Sequence, residues 1–228
     1  MSGRASPAGS EWPATDPEGR AVRFTTRESR PRPDELEPVL QGTHVRLEPL
    51  RPAHLEALCA VGLDPEVMRL MPHPVSTRDQ MADYVNAAIS ARAAGTAIPF
   101  ATVHRSASGQ TVVGSTRFMS IDPANRHLEI GSTWIGIPWQ RTAVNTEAKY
   151  LMLRHAFETF GCLRVEFKTD SLNVRSRQAL LRIGATEEGT FRSHVITSEG
   201  RIRHSVYFSI TLEEWPEVRR RLEGYLSR

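Results

Sequence analysis

The sequence predicts an α/β (α+β) domain whose central sheet is mixed, mostly antiparallel, flanked by helices and splayed at one parallel strand pair. Three observations lead there. Apolar and polar residues alternate over 98–104, 111–121 and 127–137, which marks hairpin-linked strands ahead of any strand–helix–strand unit. A single such unit follows, with a helix over 145–160 between the strand at 127–137 and another at 163–169. Those two strands should be parallel neighbours with a right-handed crossover. The stretch between them, EIGSTWIGIPWQRTAVNTE over 129–147, reads as a strand, a short polar loop and a helix start. Where the parallel pair diverges, a slot opens that a linear ligand could enter.

Residues 1–36 are rich in Pro, Gly, Ser, Arg and Glu and carry little periodic pattern, so they read as a flexible N-terminal extension. A single domain is expected over 37–228. Within it, 43–48 alternates as a strand. Pro52 opens a helix to about Val61, and Asp64-Pro65 starts a short second one, ended by Met71-Pro72-His73-Pro74. Ser76 is the expected cap of a third helix carrying Met81, Tyr84, Val85, Ala88 and Ile89, stopped by Gly95. Gly109 marks one hairpin and Asp122-Pro123-Ala124-Asn125 another turn. After the 163–169 strand comes a helix over 173–183 ending at Gly184, then strands near 185–191 and 203–210. A closing helix spans 213–226.

The bulk numbers bound the function. A chain of 228 residues with 39% hydrophobic and 24% charged residues fits one domain plus appendages. No apolar run approaches the roughly 18–20 residues of a membrane span, and no signal-peptide core opens the chain, so a cytoplasmic protein without a membrane partner is expected. The net charge of +3 is too small to point to a nucleic acid. Cys59 and Cys162 lie in separate elements, which excludes a disulfide framework and gives Cys162 a packing role. The 8 histidines show no ligand spacing, so no metal is expected.

The loop at 140–146 carries the strongest chemical signal. A helix start leaves backbone N–H groups unpaired and pointing one way, and the aligned peptide dipoles add partial positive charge there. Such a site suits a phosphate or pyrophosphate. Gln140, Arg141, Thr142, Ala143, Val144, Asn145 and Thr146 are the candidate binding residues. Asn145 could also cap the helix, and Arg141 could pair with a phosphate. A second signal is Asp170-Ser171-Leu172-Asn173-Val174-Arg175-Ser176, followed by Ile183-Gly184-Ala185. Asn173 and Ser176 stand at i and i+3, on one side of a helix start. The plain alternative for Asn173 is an N-cap, and both roles are compatible.

Over about residues 40–212 this layout resembles the GCN5-related N-acetyltransferases (GNAT), in particular the branch that acetylates ribosomal-protein N-termini. The family's Q/R-x-x-G-x-G/A loop, which grips the pyrophosphate of acetyl-CoA, matches Gln140 to Asn145. Ala143 and Asn145 depart from its small or glycine positions. Its N-x-x-S/A turn matches Asn173 to Ser176. The resemblance implies a GNAT fold, acetyl-CoA as co-substrate and no metal. It also implies main-chain contacts to the pantetheine and acyl oxygen from Ile135 and Ile137, and a homodimer formed through the sheet edge or last hairpin. Many relatives carry a Tyr acid seven residues after the Asn; here Leu180 stands there, and Ser176 is the candidate partner of the sulfur. The sequence has no G-x-G-x-x-G and no G-x-x-x-x-G-K-[ST], which also steers the phosphate ligand towards CoA.

Acetyl transfer from a thioester to an amine needs a neutral amine, a stabilised oxyanion and a proton for the thiolate. Glu129 is the candidate base, beside Leu128 and Ile130, with a solvent-facing or Arg126-paired Glu as the alternative. Met68, Met71, His73 and Pro74, with Arg192, Ser193, His194, Arg201, Arg203 and His204, are the candidate acceptor wall; for the charged residues a solvated hairpin face is the alternative. The expected function is acetyl-CoA-dependent N-acetylation of a primary amine, a protein N-terminus or a small molecule, by direct attack in a ternary complex. Two other classes stay open: a CoA-binding module without catalysis, and a ribosome- or RNA-associated protein suggested by the pI near 9.2.

Overall fold

A computed structural model describes residues 37–227. The expected extension over 1–36 lies outside the described residues. Two short strands come first, β1 (Leu40–Gln41) and β2 (Val45–Pro49). A 3-10 turn at Pro52–His54 leads into α1 (Leu55–Gly62), followed by α2 (Pro65–Met68) and α3 (Arg78–Ala93). Asp64 caps α2 by accepting from the Glu66 N–H. Thr77, not Ser76, caps α3: its side chain accepts from the Gln80 N–H, and the Gln80 side chain returns to the Thr77 N–H. That reciprocal box satisfies two orphan donors, which a lone Ser76 cap would not.

The three expected meander strands follow as β3 (Ala97–Ser106), β4 (Gly109–Asp122) and β5 (His127–Ile135). β5 stops two residues short of expectation because Gly136 and Pro138 turn the chain into a 3-10 segment at Ile137–Trp139. Helix α4 (Ala143–Arg154) begins earlier than expected and gives way to a wider π turn at His155–Thr159. Thr142, not Asn145, is its N-cap; Asn145 already lies inside the first turn. Then come β6 (Arg164–Asp170), α5 (Val174–Ile183), β7 (Thr186–Ile196), β8 (Ile202–Thr211) and α6 (Trp215–Leu226). Gly184 ends α5 at φ +102, a left-handed conformation that suits glycine at this position.

Among the described residues the eight strands form one sheet in the order β1-β2-β3-β4-β5-β6-β8-β7. Every neighbouring pair is antiparallel except β5 and β6. The strand order at the far edge was not legible from the sequence: β8 slots between β6 and β7. One core lies under α1 and α3, with Leu58, Met81, Val85 and Trp134 buried there. The other lies under α4, α5 and α6, where Val144, Ala148, Leu151 and Met152 of α4 meet the sheet at helical spacing.

Glu147 ties α4 to the first hairpin. Its carboxylate accepts backbone N–H bonds from Thr43 (2.9 Å), His44 (2.6 Å) and Val45 (2.6 Å). A Cβ on Gly42 would fall 2.3 Å from the Glu147 carboxyl carbon, so glycine there makes room for the anion. The helix that opens at the polar loop is thereby fixed against the sheet from its far side.

Candidate active site

The parallel register of β5 and β6 holds from His127↔Arg164 to Glu129↔Glu166, and beyond it the strands part. A cavity of about 1030 Å³ fills the opening and continues over the α1–α3 side of the sheet. Gly136 N–H donates to Val113 O at 2.8 Å, and Ile135 stands opposite Gly114. Alternation along an antiparallel pair therefore turns the Ile135 N–H and C=O away from β4, into the gap. The Ile135 carbonyl accepts from Gln140 Nε2 at 2.9 Å, and Arg175 Nη1 donates to Gln140 Oε1 at 3.0 Å. Gln140 thus braces the end of the strand against α5. Nearer the middle, β5 carries an extra residue between Gly131 and Trp134, with Ser132 at φ 48. Such a bulge re-aims side chains beside a site.

The loop before α4 has the shape its sequence suggested but a different source of strain. Arg141 takes the left-handed conformation at φ 61, while Ala143 and Asn145 lie in the helix, where no glycine is needed. Thr142 accepts from Val144 N–H at 3.3 Å. The N–H groups of Ala143 and Asn145 remain without a helical acceptor, as at any helix start. Asn145 Oδ1 is enclosed and lacks a donor. Gln140, Arg141, Thr142, Asn145 and Thr146 all line the cavity. Val144 is buried in the core instead, so it and Ala143 offer main chain only. Ile137 is exposed in the turn beyond the strand and is not part of the cavity wall. Arg182 Nη2 donates to Thr146 Oγ1 at 2.8 Å, which adds a third arginine beside Arg141 and Arg175 around the helix start.

Across the gap, Asn173 caps α5, its Oδ1 accepting from Ser176 N–H at 3.0 Å. Both side chains line the cavity. Leu180 is buried in the wall. The turn carrying Asn173 is held by Asp170, whose buried carboxylate accepts from Leu172 N–H and from Arg201 Nη2.

Glu129 sits where the strands begin to part and is 4% exposed. Its partner is Lys168 on β6, with Nζ at 3.1 Å, not Arg126. A Cβ on Gly131 would come within 2.8 Å of Glu129 Oε1, so the glycine leaves room for this carboxylate. Three further residues of the wall escaped the sequence reading. Tyr84 of α3 places its hydroxyl 3.3 Å from Ser115 Oγ, Ser132 Oγ and Trp134 Nε1. Burial pushes its phenol up, but the Arg117 charge and the hydrogen bonds with Ser115, Ser132 and Arg117 outweigh this and hold it below its ordinary value. Arg117 lies over the Tyr84 ring at 4.9 Å. Lys149 of α4 reaches into the gap, donating to Thr133 Oγ1 of β5 at 2.9 Å and standing 5.7 Å from the Phe167 ring of β6. Burial pushes its ammonium down from 10.5 to about 7. The available signal for Lys149 was its helical spacing from Asn145, at i and i+4 on one face.

Of the expected acceptor wall, Met71, His73, Pro74 and Arg203 line this cavity. Met68 is buried in the core. Arg192, Ser193, His194 and His204 line a separate hollow of about 770 Å³ on the β7–β8 hairpin. Cys162 is buried, and burial pushes its thiol up to about 12, which fits packing rather than chemistry. Among the described residues, no group of three or more His, Cys, Asp or Glu side chains could hold a metal ion.

A parallel strand pair that parts, with a helix start at the mouth of the gap, is the arrangement expected from the sequence. The family model described as an acetyltransferase (GNAT) domain matches residues 44–186. The chain belongs to the GNAT family. It is similar to YdaF of Bacillus subtilis (strain 168), named there as a candidate ribosomal N-acetyltransferase, at 30% identity over 105 residues, 46% of this chain and 56% of that protein. The match therefore spans little more than half the length of this curated relative. A crystal structure of a GCN5-related N-acetyltransferase from Brucella melitensis superimposes with TM-score 0.76 and 32% identity, covering 88% of this chain and 90% of that one. RimJ of Mycobacterium smegmatis, solved in complex with CoA-disulfide, shares the fold with TM-score 0.67 and 23% identity, over 83% of this chain and 92% of that one. In this GNAT domain, β5 and β6 are the splayed pair and α4 is the helix that opens at its mouth.

Proposed function

We propose that this GNAT protein transfers an acetyl group from acetyl-CoA to a primary amine, either a protein N-terminus or a small molecule, by direct attack in a ternary complex. The observation that carries the reading is the splayed β5–β6 gap, bounded at one end by the α4 start and at the other by Glu129. The residues present suit the coenzyme. Free N–H groups at Ala143 and Asn145, with Arg141, Arg175 and Arg182 around them, suit a pyrophosphate. The unpartnered Asn145 Oδ1 and the inward-turned Ile135 amide suit the amides and carbonyls of a pantetheine arm. When bound, acetyl-CoA supplies the activated acetyl thioester.

The protein's own groups then divide the work. Glu129 accepts the proton of the attacking amine, directly or through water, and Lys168 holds its carboxylate in place. The Ile135 N–H meets the developing oxyanion. Ser176, positioned by its backbone bond to Asn173, offers a hydroxyl to the leaving sulfur. The bonds from Gln140 to Ile135 and Arg175 keep the strand end and α5 at a fixed separation. Support for a protein acceptor comes from YdaF and from the name of a Vibrio cholerae neighbour as a ribosomal-protein-serine acetyltransferase, which shares the fold at 20% identity.

Two measurements test this. Titration calorimetry of the full chain should detect acetyl-CoA binding, and thiol release should appear when peptide N-termini or small amines are added. No heat with acetyl-CoA or CoA ends the reading. Binding without thiol release from any amine would favour the CoA-binding module instead.

A further inference from the structure

Two arginines flank the splayed pair with enclosed donors that have no hydrogen-bond acceptor. Arg117 lies on β4, one strand to the side of β5, and Arg203 lies on β8, one strand to the side of β6. Both line the cavity that holds Glu129. Arg117 Nε and Nη2 are enclosed and have no hydrogen-bond acceptor. Its contact is with Tyr84, an aromatic face and a hydroxyl, and among the described residues it makes no ion pair. Arg203 is 4% exposed, and its Nε also lacks an acceptor. The nearest carboxylate oxygen, Asp170 Oδ2, stands 4.0 Å away and already serves Arg201.

The acids of the cavity do not fill the deficit. Glu129 is taken by Lys168, and Asp170 by Arg201 and the Leu172 N–H. Asp83, the remaining acid of the wall, is exposed on α3 and pairs with neither arginine. A charged donor enclosed without an acceptor is costly, and an anionic ligand that reaches it removes that cost. A guanidinium edge with two free donors matches the two oxygens of a carboxylate.

We infer that the amine accepted by this protein also carries a carboxylate, which Arg117 and Arg203 hold while its amino group faces Glu129. The inference rests on the acetyl-transfer reading for the amine but not for the anion. The apolar side of the same chamber, Met71, Pro74 and Val75, accommodates the carbon skeleton between the two groups. The carboxylate could belong to a free amino acid or to an acidic side chain near a peptide N-terminus, and the experiment separates these sources.

Acetylation is measured with matched acceptors: a peptide with Glu at its second position against the Gln analogue, and a free amino acid against its carboxamide. The acidic member of at least one pair should be preferred about tenfold or more in kcat/KM, as expected for a charge-paired contact. Which pair shows the preference identifies the source. In Arg117→Gln and Arg203→Gln the preference for the acidic over the neutral acceptor in kcat/KM should fall about tenfold, with the acetyl-CoA KM unchanged. Arg117→Lys should recover part of the preference. Equal use of both members by the native protein, or an equal loss for both in the variants, overturns the inference. Calorimetry of the same acceptors on CoA-saturated protein reads the subsite without turnover. Arginine-dependent binding of the acid with no acetylation would sustain the anion site and defeat the acetyl-transfer reading; no preference for the acid in binding or turnover defeats the anion site alone.

Discussion

The two ends of the cavity are assembled in different ways. The proposed coenzyme end comes from one continuous stretch, running from the β5 bulge through the 140–146 loop and α4 to the Asn173 cap of α5. The proposed acceptor end is gathered from the 71–75 segment, Tyr84, Arg117, Glu129, Lys168 and Arg203, spread across most of the described chain. The first end rests on local rules, in which a strand, a loop and a capped helix generate free N–H groups wherever they occur in this order. The second depends on β4, β5, β6 and β8 lying side by side, which only the complete sheet provides. The first end therefore needs only local order, and the second needs the assembled sheet.

The largest expected effect tests whether the acceptor end does chemistry. Glu129→Gln keeps the shape of the buried side chain and removes its basicity. We expect kcat to fall about 10²-fold to 10⁴-fold, the usual contribution of a positioned base, with acetyl-CoA affinity unchanged by calorimetry. A kcat within a few-fold of the native value would move the base elsewhere, and a parallel loss of acetyl-CoA binding would mean that the two ends are not separable.

A second variant asks how self-contained the coenzyme end is. Glu147→Ala strands the Thr43, His44 and Val45 N–H groups that the carboxylate now satisfies. The expected cost is about 3 kcal/mol or more in chemical denaturation, since buried donors without partners are expensive. If α4 holds its position through its own packing, acetyl-CoA affinity at low temperature should survive. A large loss of affinity in protein that remains folded would show that the loop depends on the first hairpin as well.

The same contrast explains what the sequence disclosed. The order of strands and helices, the single parallel pair and the Gln140–Asn145 and Asn173–Ser176 turns could be read because each follows from periodicity or from a cap within a few residues. Asn173 caps α5 as its position suggested, whereas the cap of α4 moved to Thr142 because a threonine with β-region geometry stood closer to the first apolar position. The left-handed residue could not be read: it is Arg141, where side-chain type gives no warning. Lys168 as partner of Glu129, the Tyr84 hydroxyl cluster and the unpartnered Arg117 all join segments far apart in the chain, and no spacing rule reaches that far. Lys149 was hidden differently, since a lysine in a helix reads as solvated until the packing around it is known.

A smaller effect is expected at the loop. Asn145→Asp puts a negative charge beside the free N–H groups of α4, where the helix dipole favours it, so the fold should be as stable as before or slightly more stable. The same charge would repel a pyrophosphate. Acetyl-CoA affinity should fall about tenfold to a hundredfold, with the loss growing at low salt. An unchanged affinity would place the phosphates away from the helix start and blur the distinction between the two ends.

The gentlest test is a pH series on Lys149, the charged residue that reaches across the gap. Burial holds its ammonium at about 7 in the folded chain, against 10.5 when exposed. Between these values the unfolded chain binds a proton that the folded chain has released. Unfolding free energy from this group therefore rises with pH across the window, is fully present above about 10.5 and is lost as the pH falls towards about 7. The slope is about 1.4 kcal/mol per pH unit at most. Lys149→Met keeps the length and apolar stem but removes the titration, so the stability difference between native and variant should shrink or reverse as the pH is raised from 7 to 9, cancelling the contributions of other groups. A difference that stays flat with pH would mean that water or a neighbouring dipole stabilises the ammonium in the gap. The charge would then be permanent and available to a bound thioester, and the two ends of the cavity would share one electrostatic field.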